Sequence, residues 1–263
     1  MSATTFVYID YGPSPYIGRE LRYSLATLLA EIPAARVLAY TDKPEAYATL
    51  HRSVAARPLG ADLGRWTRDG AYTHRIKPCA LADAIKTQGG LCVLMDTDSW
   101  IEPGFAAALD EAAATGAAMD LFERPDPYPE LTGFAARLPH AGAYLYAPET
   151  ALMFNSGLIA ARDAAPLEDA VALIDALWDA GRRMFNIEQI AVSESFRLHG
   201  LAVGETAPAF RHYCRRSLKR YMRWRIDGWL KRAPLFAPTR PCIAHPRNAV
   251  RAFNLVNRFV KRY

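Results

Sequence analysis

The sequence predicts an α/β fold, a mixed and largely parallel sheet flanked by helices, with a basic helical segment at its C-terminal end. Three observations carry that prediction. Short apolar runs of strand length alternate with stretches of helical period, the order that builds βαβ units. One run, residues 91–95, is apolar throughout, follows Gly89-Gly90 and stops at Asp96-Thr97-Asp98, as a strand buried on both faces would. The chain also divides by charge: residues 211–263 carry 15 Lys/Arg against one acid, a net +14, while residues 1–210 carry 17 against 26, a net −9.

In chain order, residues 6–10 read as a first strand, followed by a turn-rich loop through Tyr11, Gly12, Pro13 and Pro15. Leu21, Leu25, Leu28 and Leu29 then recur at helical spacing until Pro33 ends the helix. Residues 36–41 form a second strand closed by Asp42-Lys43-Pro44, and residues 53–58 a short third. A helix begins near His74-Arg75-Ile76-Lys77-Pro78 and runs to Ile85, leading to the central strand. Beyond it, residues 105–114 read as helix and 119–122 as strand. Residues 124–150, with five prolines, read as a long loop, a length that is usually functional or mobile. Residues 153–160 read as one strand kinked at Asn155-Ser156-Gly157. Residues 167–178 form an amphipathic helix, and Asn186 is placed to cap the next one.

The 263 residues, 51% hydrophobic and 22% charged, suit one globular domain with a sizeable core. The expected division is a catalytic core over residues 1–210 and a basic amphipathic extension over 211–263. No apolar run reaches the ~18 residues of a membrane span, and the first residues lack the pattern of a signal peptide. Cys79, Cys92, Cys214 and Cys242 lack zinc spacing, which points to reduced thiols and a cytoplasmic location.

The chemistry centres on Asp96 and Asp98. Two hard oxygen ligands at the C-terminal end of a buried strand suit a divalent cation that also holds a substrate's phosphates. An EF-hand is excluded, since Ile101 and Ala107 stand where its Gly and Glu belong. A haloacid-dehalogenase-type phosphatase also places Asp-x-Asp after a strand, but its motif usually lies near the N-terminus and needs a later Lys and acidic pair.

The landmarks follow an order: strand, helix, a second strand ending Tyr40-Thr41-Asp42, His74-Arg75-Ile76-Lys77, Asp96-Thr97-Asp98, Asn155-Ser156-Gly157, and Asn186-Ile187-Glu188-Gln189. Across residues 6–200 this order resembles GT-A glycosyltransferases of the glycogenin and lipooligosaccharide galactosyltransferase type. The resemblance implies a nucleotide-sugar donor, most often UDP-linked, with Mn²⁺ or Mg²⁺ on its diphosphate. It makes Asp98 the principal metal ligand, with Asp96 reaching the metal or the ribose beside Thr97. The family's third ligand, a C-terminal His, matches His245, and Arg247 would neutralise the diphosphate. Tyr8, Asp10, Tyr11, Thr41 and Asp42 would frame the base, while Lys77, with Arg75 competing, would contact base or phosphate. Asn155, Ser156, Glu188 and Gln189 would line the sugar pocket. The family's Asp-Gln is Glu188-Gln189 here, and a carboxylate at a helix start also suits the dipole without any catalytic role.

In the extension, Cys214, Leu218, Tyr221, Met222, Ile226, Trp229 and Leu230 share one helical face and Arg215, Arg216, Lys219, Arg220 and Arg223 the other; residues 250–260 repeat the pattern. Basic amphipathic helices with Trp and Tyr suit an anionic membrane surface. The same stripe would also serve to pack on the core. No recognised nucleic-acid motif accompanies the charge. The expected activity is sugar transfer from a nucleotide-diphosphate sugar to a glycan or lipid-linked glycan, on the cytoplasmic membrane face. The rivals are a DxD phosphatase and a basic membrane- or nucleic-acid-binding protein with an inactive core.

Overall fold

A computed structural model of the chain describes residues 4–125, 128–232, 241–243, 249–250 and 253–254. Its strands and helices, in order, are β1 (Thr5–Asp10), α1 (Pro15–Glu31), β2 (Arg36–Thr41), β3 (Val54–Pro58), α2 (Asp62–Thr67), α3 (Ile76–Gln88), β4 (Cys92–Met95), β5 (Ser99–Ile101), α4 (Phe105–Ala113) and β6 (Gly116–Met119). There follow β7 (Phe122–Pro125), β8 (Ala135–Leu138), β9 (Gly142–Leu145), β10 (Leu152–Phe154), β11 (Leu158–Ala161), α5 (Ala165–Asp179), α6 (Ile187–Leu198), β12 (Ala202–Glu205), β13 (Phe210–His212) and α7 (Arg216–Leu230).

Seven strands form the main sheet in the order β12-β6-β11-β4-β1-β2-β3. All pair in parallel except β11, which runs antiparallel between β4 and β6. Alternate residues of each inner strand enter two separate cores. Val7, Leu38, Leu94 and Ile159 pack with Leu81, Leu173 and Ile190 of α3, α5 and α6. Phe6, Val37, Val93 and Leu158 pack with Leu21, Leu25, Phe105 and Leu109 of α1 and α4. Burial on both faces is why residues 91–95 are continuously apolar.

The antiparallel strand β11 begins where its parallel neighbours end, with Leu158 opposite Met95 and Ile159 opposite Met119. Asn155-Ser156-Gly157 is thereby set between the ends of β4 and β6, fixed by Asp96 N–H to Gly157 O (2.8 Å) and Asp120 N–H to Asn155 O (3.3 Å).

Several expectations need correction. The strand read over 119–122 is two strands, β6 and β7, separated by a turn at Asp120; β7 pairs with β10 in a ribbon outside the main sheet. Residues 153–160 likewise divide into β10 and β11, in different sheets. The stretch read as a loop holds the hairpin β8–β9, whose Ala- and Gly-rich strands give little β signal. Strand β12 escapes notice for the same reason, and Gly204 in it is required because a Cβ would meet Ala112 Cα at 2.5 Å. Asn186 does precede α6, but its side chain makes no cap; its Oδ1 accepts from Tyr128 and its Nδ2 points to Met153.

The 210/211 boundary falls inside β13, which pairs antiparallel with β5. Helix α7 then lies on α1: Tyr221, Met222 and Ile226 are buried against Tyr23, Trp100 and Tyr213, with Leu218, Trp229 and Leu230 around them. The apolar stripe of α7 therefore faces the core, while Cys214, ahead of the helix, is exposed and the repeat over 250–260 lies largely outside the described residues. Trp224 remains 42% exposed. No helix among the described residues is long and apolar enough to cross a membrane.

Candidate active site

Asp96, Asp98 and His212 converge at the carboxyl edge of the sheet, where open α/β sheets bind ligands. Asp96 directly follows β4. Asp98 lies one residue before β5, its carbonyl accepting from Tyr213 N–H (2.9 Å). His212 arrives from the other end of the sequence because β13 pairs with β5, placing His212 opposite Ser99. Its Nε2 lies 3.5 Å from Asp96 Oδ2 and 3.5 Å from Asp98 Oδ1. One ligand atom from each of the three residues falls within 4.8 Å of the others.

Other groups hold the imidazole in place. Nδ1 faces Asn155 Oδ1 (3.2 Å) and, at 3.7 Å, the buried Asp120 carboxylate. A carboxylate behind a histidine is the usual device for orienting a metal-ligating ring. Gly157 completes the seat: a Cβ there would stand 2.9 Å from His212 Cγ and 3.0 Å from Asn155 Oδ1, closer still to Nδ1. The glycine of Asn155-Ser156-Gly157 is thus explained by the ring packed on it.

Two ammonium groups reach the aspartates. Lys77 Nζ, from the first turn of α3, donates to Asp96 Oδ2 (2.8 Å) and to Ser156. Lys219 Nζ, from the first turn of α7, donates to Asp98 Oδ2 (2.7 Å). Burial works against the charge on Asp98, but hydrogen bonding and charge from His212 and Lys219 outweigh it and hold the carboxyl far below the usual range. Burial also opposes charge on His212, yet Asp120, Asp98 and Asp96 together push it up to about 10. Burial raises Asp120, with His212 acting the other way. Lys77 rises despite burial because Asp96 and Glu188 favour its charged form.

Behind Lys77, Glu188 is 3% exposed, in the first turn of α6 where the dipole favours a carboxylate. Oε1 accepts from Ser156 (2.7 Å) and Oε2 from Tyr72 (2.8 Å), with Lys77 Nζ 3.9 Å away. On the opposite wall Arg223 of α7 pairs with the buried Glu20 at 2.9 Å. These groups surround a cavity of about 640 Å³.

Of the residues expected at the site, Tyr11, Lys77, Asp96, Thr97, Asp98, Asn155, Ser156, Glu188 and Gln189 all line this cavity. Four others do not. Tyr8 is fully buried, its hydroxyl paired with Ser24. Asp10 accepts from Tyr47 and lines a separate depression of about 270 Å³. Thr41 is buried and its Oγ1 accepts from Lys43 N–H. Arg75 turns away to Asp175 of α5, donating at 2.8 and 2.7 Å, because it sits two residues before Lys77 and so projects from a different side of the helix start. Asp42 ties down the first loop by accepting from Gly12 N–H (2.9 Å). His245 and Arg247 lie outside the described residues.

Sequence reasoning missed His212, Asp120, Lys219 and Tyr72 as members of the site. Nothing local singled out His212, because Phe210-Arg211-His212-Tyr213 reads as the start of the basic segment beyond it. The donor chemistry, two carboxylates and an imidazole backed by a third carboxylate, fits Mn²⁺ or Mg²⁺. The chain matches no protein-family model, and no curated protein matches it.

Proposed function

We propose that this protein is a metal-dependent glycosyltransferase of GT-A type, moving a sugar from a nucleotide-diphosphate sugar, UDP-linked in the first instance, to a glycan or lipid-linked glycan acceptor. One observation carries the reading: an oxygen-rich cation-ligand set and two ammonium groups meet in a single cavity at the carboxyl edge of the sheet. That composition suits a diphosphate together with its counter-ion. The mixed, largely parallel sheet agrees with the GT-A resemblance of the ordered sequence motifs.

When bound, the cation supplies positive charge to the departing diphosphate as a Lewis acid. Asp96, Asp98 and His212 would hold it. Lys77 adds a buried positive charge beside that position, fixed by Ser156 and Glu188. Asn155 and Gln189, whose amides both donate and accept, would read sugar hydroxyls from the cavity wall. Glu188 keeps its two oxygens engaged with Ser156 and Tyr72, so it organises Lys77 and stabilises positive charge developing on the sugar electrostatically, without moving a proton. Tyr11 offers a ring to the base from the end of β1. The exposed Arg215 and Arg216, with Trp224, supply the surface for an anionic membrane bearing the acceptor.

Calorimetry with UDP and Mn²⁺ tests the assignment. The unaltered protein binds UDP when Mn²⁺ is present, and Asp98→Asn weakens that binding at least about tenfold. Binding that is absent in the unaltered protein, or unchanged in the variant, refutes the reading.

A further inference from the structure

Lys219 is held by Asp98 at 2.7 Å, in the same cavity that contains the proposed cation ligands. Its side chain is 31% exposed, against 10% for Asp98. The lysine thus lies on the open side of the pair and has room to change partner, whereas Lys77, 11% exposed and bonded to both Asp96 and Ser156, is fixed.

A divalent cation and Lys219 have a direct conflict. The ammonium occupies Oδ2 of Asp98, on the same carboxylate as the Oδ1 that faces His212, and so places a positive charge beside the position a cation would take. Coulomb repulsion between the two in a partly buried site is large compared with thermal energy. A cation arriving alone therefore displaces Lys219 from Asp98 and leaves it beside the Glu20 carboxylate, which Arg223 already holds. A diphosphate arriving with the cation gives the lysine an anionic replacement for Asp98, and a compact ammonium is suited to phosphate oxygens.

We propose that Lys219 is an exchangeable counter-ion: it neutralises Asp98 in the free protein and passes to the diphosphate when cation and diphosphate enter together, so that neither binds well without the other. This rests on the cavity being the proposed cation- and diphosphate-binding site. It goes further in assigning a role to a residue of α7 that the DxD motif does not imply. Thermodynamic linkage makes the effect reciprocal: the factor by which UDP strengthens Mn²⁺ binding equals the factor by which Mn²⁺ strengthens UDP binding.

The experiment is a Mn²⁺ titration of the full chain, following the electron paramagnetic resonance signal of free Mn²⁺, with and without saturating UDP. It compares the unaltered protein, Lys219→Met and Lys219→Arg. In Lys219→Met, Mn²⁺ alone should bind about tenfold more tightly, while the strengthening by UDP should fall about tenfold or more. Lys219→Arg retains the charge and should keep most of the coupling. The opposite signs separate this from damage to the fold, which would weaken both measurements. If the unaltered protein shows UDP-dependent Mn²⁺ binding and Lys219→Met shows the same coupling factor, or binds Mn²⁺ alone more weakly, the counter-ion role is wrong and the nucleotide-binding reading stands. If the unaltered protein binds neither Mn²⁺ nor UDP, both fall.

Discussion

Replacing Gly157 with alanine adds one methyl group where the structure is least able to accept it. Its backbone φ lies outside the left-handed region, so alanine can adopt the conformation and the substitution tests space alone. The added Cβ would stand 2.9 Å from His212 Cγ, whereas ordinary contact begins near 3.4 Å, so the ring must retreat by about 0.5 Å or more. Metal sites hold their ligand distances to within roughly 0.2 Å, and disturbing groups that orient a ligand costs about 10- to 100-fold in affinity. Gly157→Ala should therefore weaken Mn²⁺ binding by about 1.4–2.7 kcal/mol. Overpacking should also lower stability by about 1–3 kcal/mol. Titration of Mn²⁺ measures the first and urea unfolding the second. A double-mutant cycle identifies the cause: with His212→Ala as background the ring is gone, and Gly157→Ala should cost less than about 0.5 kcal/mol of stability. An undisturbed Mn²⁺ affinity in folded Gly157→Ala, or the same stability loss in both backgrounds, would refute the idea that this glycine exists to seat the histidine.

Two further predictions concern the same elements. With His212 pushed up to about 10, the free protein holds that proton throughout the neutral range, and a cation must displace it. Mn²⁺ affinity should rise with pH from 6 to 8 by up to about tenfold per unit, with about one proton released per ion. Calorimetry in buffers of different ionisation enthalpy reads that proton directly, and a flat pH profile would remove His212 from the ligand set. Arg75→Gln should lower stability by about 1–3 kcal/mol, since Arg75 donates twice to Asp175, yet leave UDP binding in Mn²⁺ unchanged. A loss of UDP affinity without loss of stability would return Arg75 to the nucleotide.

How far the sequence could be read depended on whether a signal was local. The run ending at Asp96 and Asp98 announced a buried strand with carboxylates at its edge, because hydrophobic continuity and position are both properties of a few adjacent residues. Lys77 and Glu188 were visible as polar residues at helix starts, although nothing local said that Ser156 and Tyr72 would occupy both oxygens of Glu188. His212 was invisible, since its place depends on β13 finding β5 across more than a hundred residues. Helix α7 shows the same limit. Its amphipathic pattern was plain, but periodicity gives the apolar face and not its partner, which proved to be α1 and its surroundings rather than an outside surface. Tyr8 and Thr41 lie outside the cavity lining for a related reason. A strand end places side chains on both sides of the sheet, and the sequence does not say which side opens onto the cavity.

The pairing of β13 with β5 has a consequence for how the molecule is assembled. Two of the three proposed ligands, Asp96 and Asp98, are fixed within one loop, and the third is delivered only when residues 210–212 have closed on residues 99–101. A chain that has folded its central sheet without that closure has no complete cation site. Any ion selective for the finished site draws the population toward closed chains, by about 2.7 kcal/mol at a concentration one hundred times its dissociation constant. The cation would thus act as a late checkpoint on folding, withholding its stabilisation until two segments more than a hundred residues apart have met.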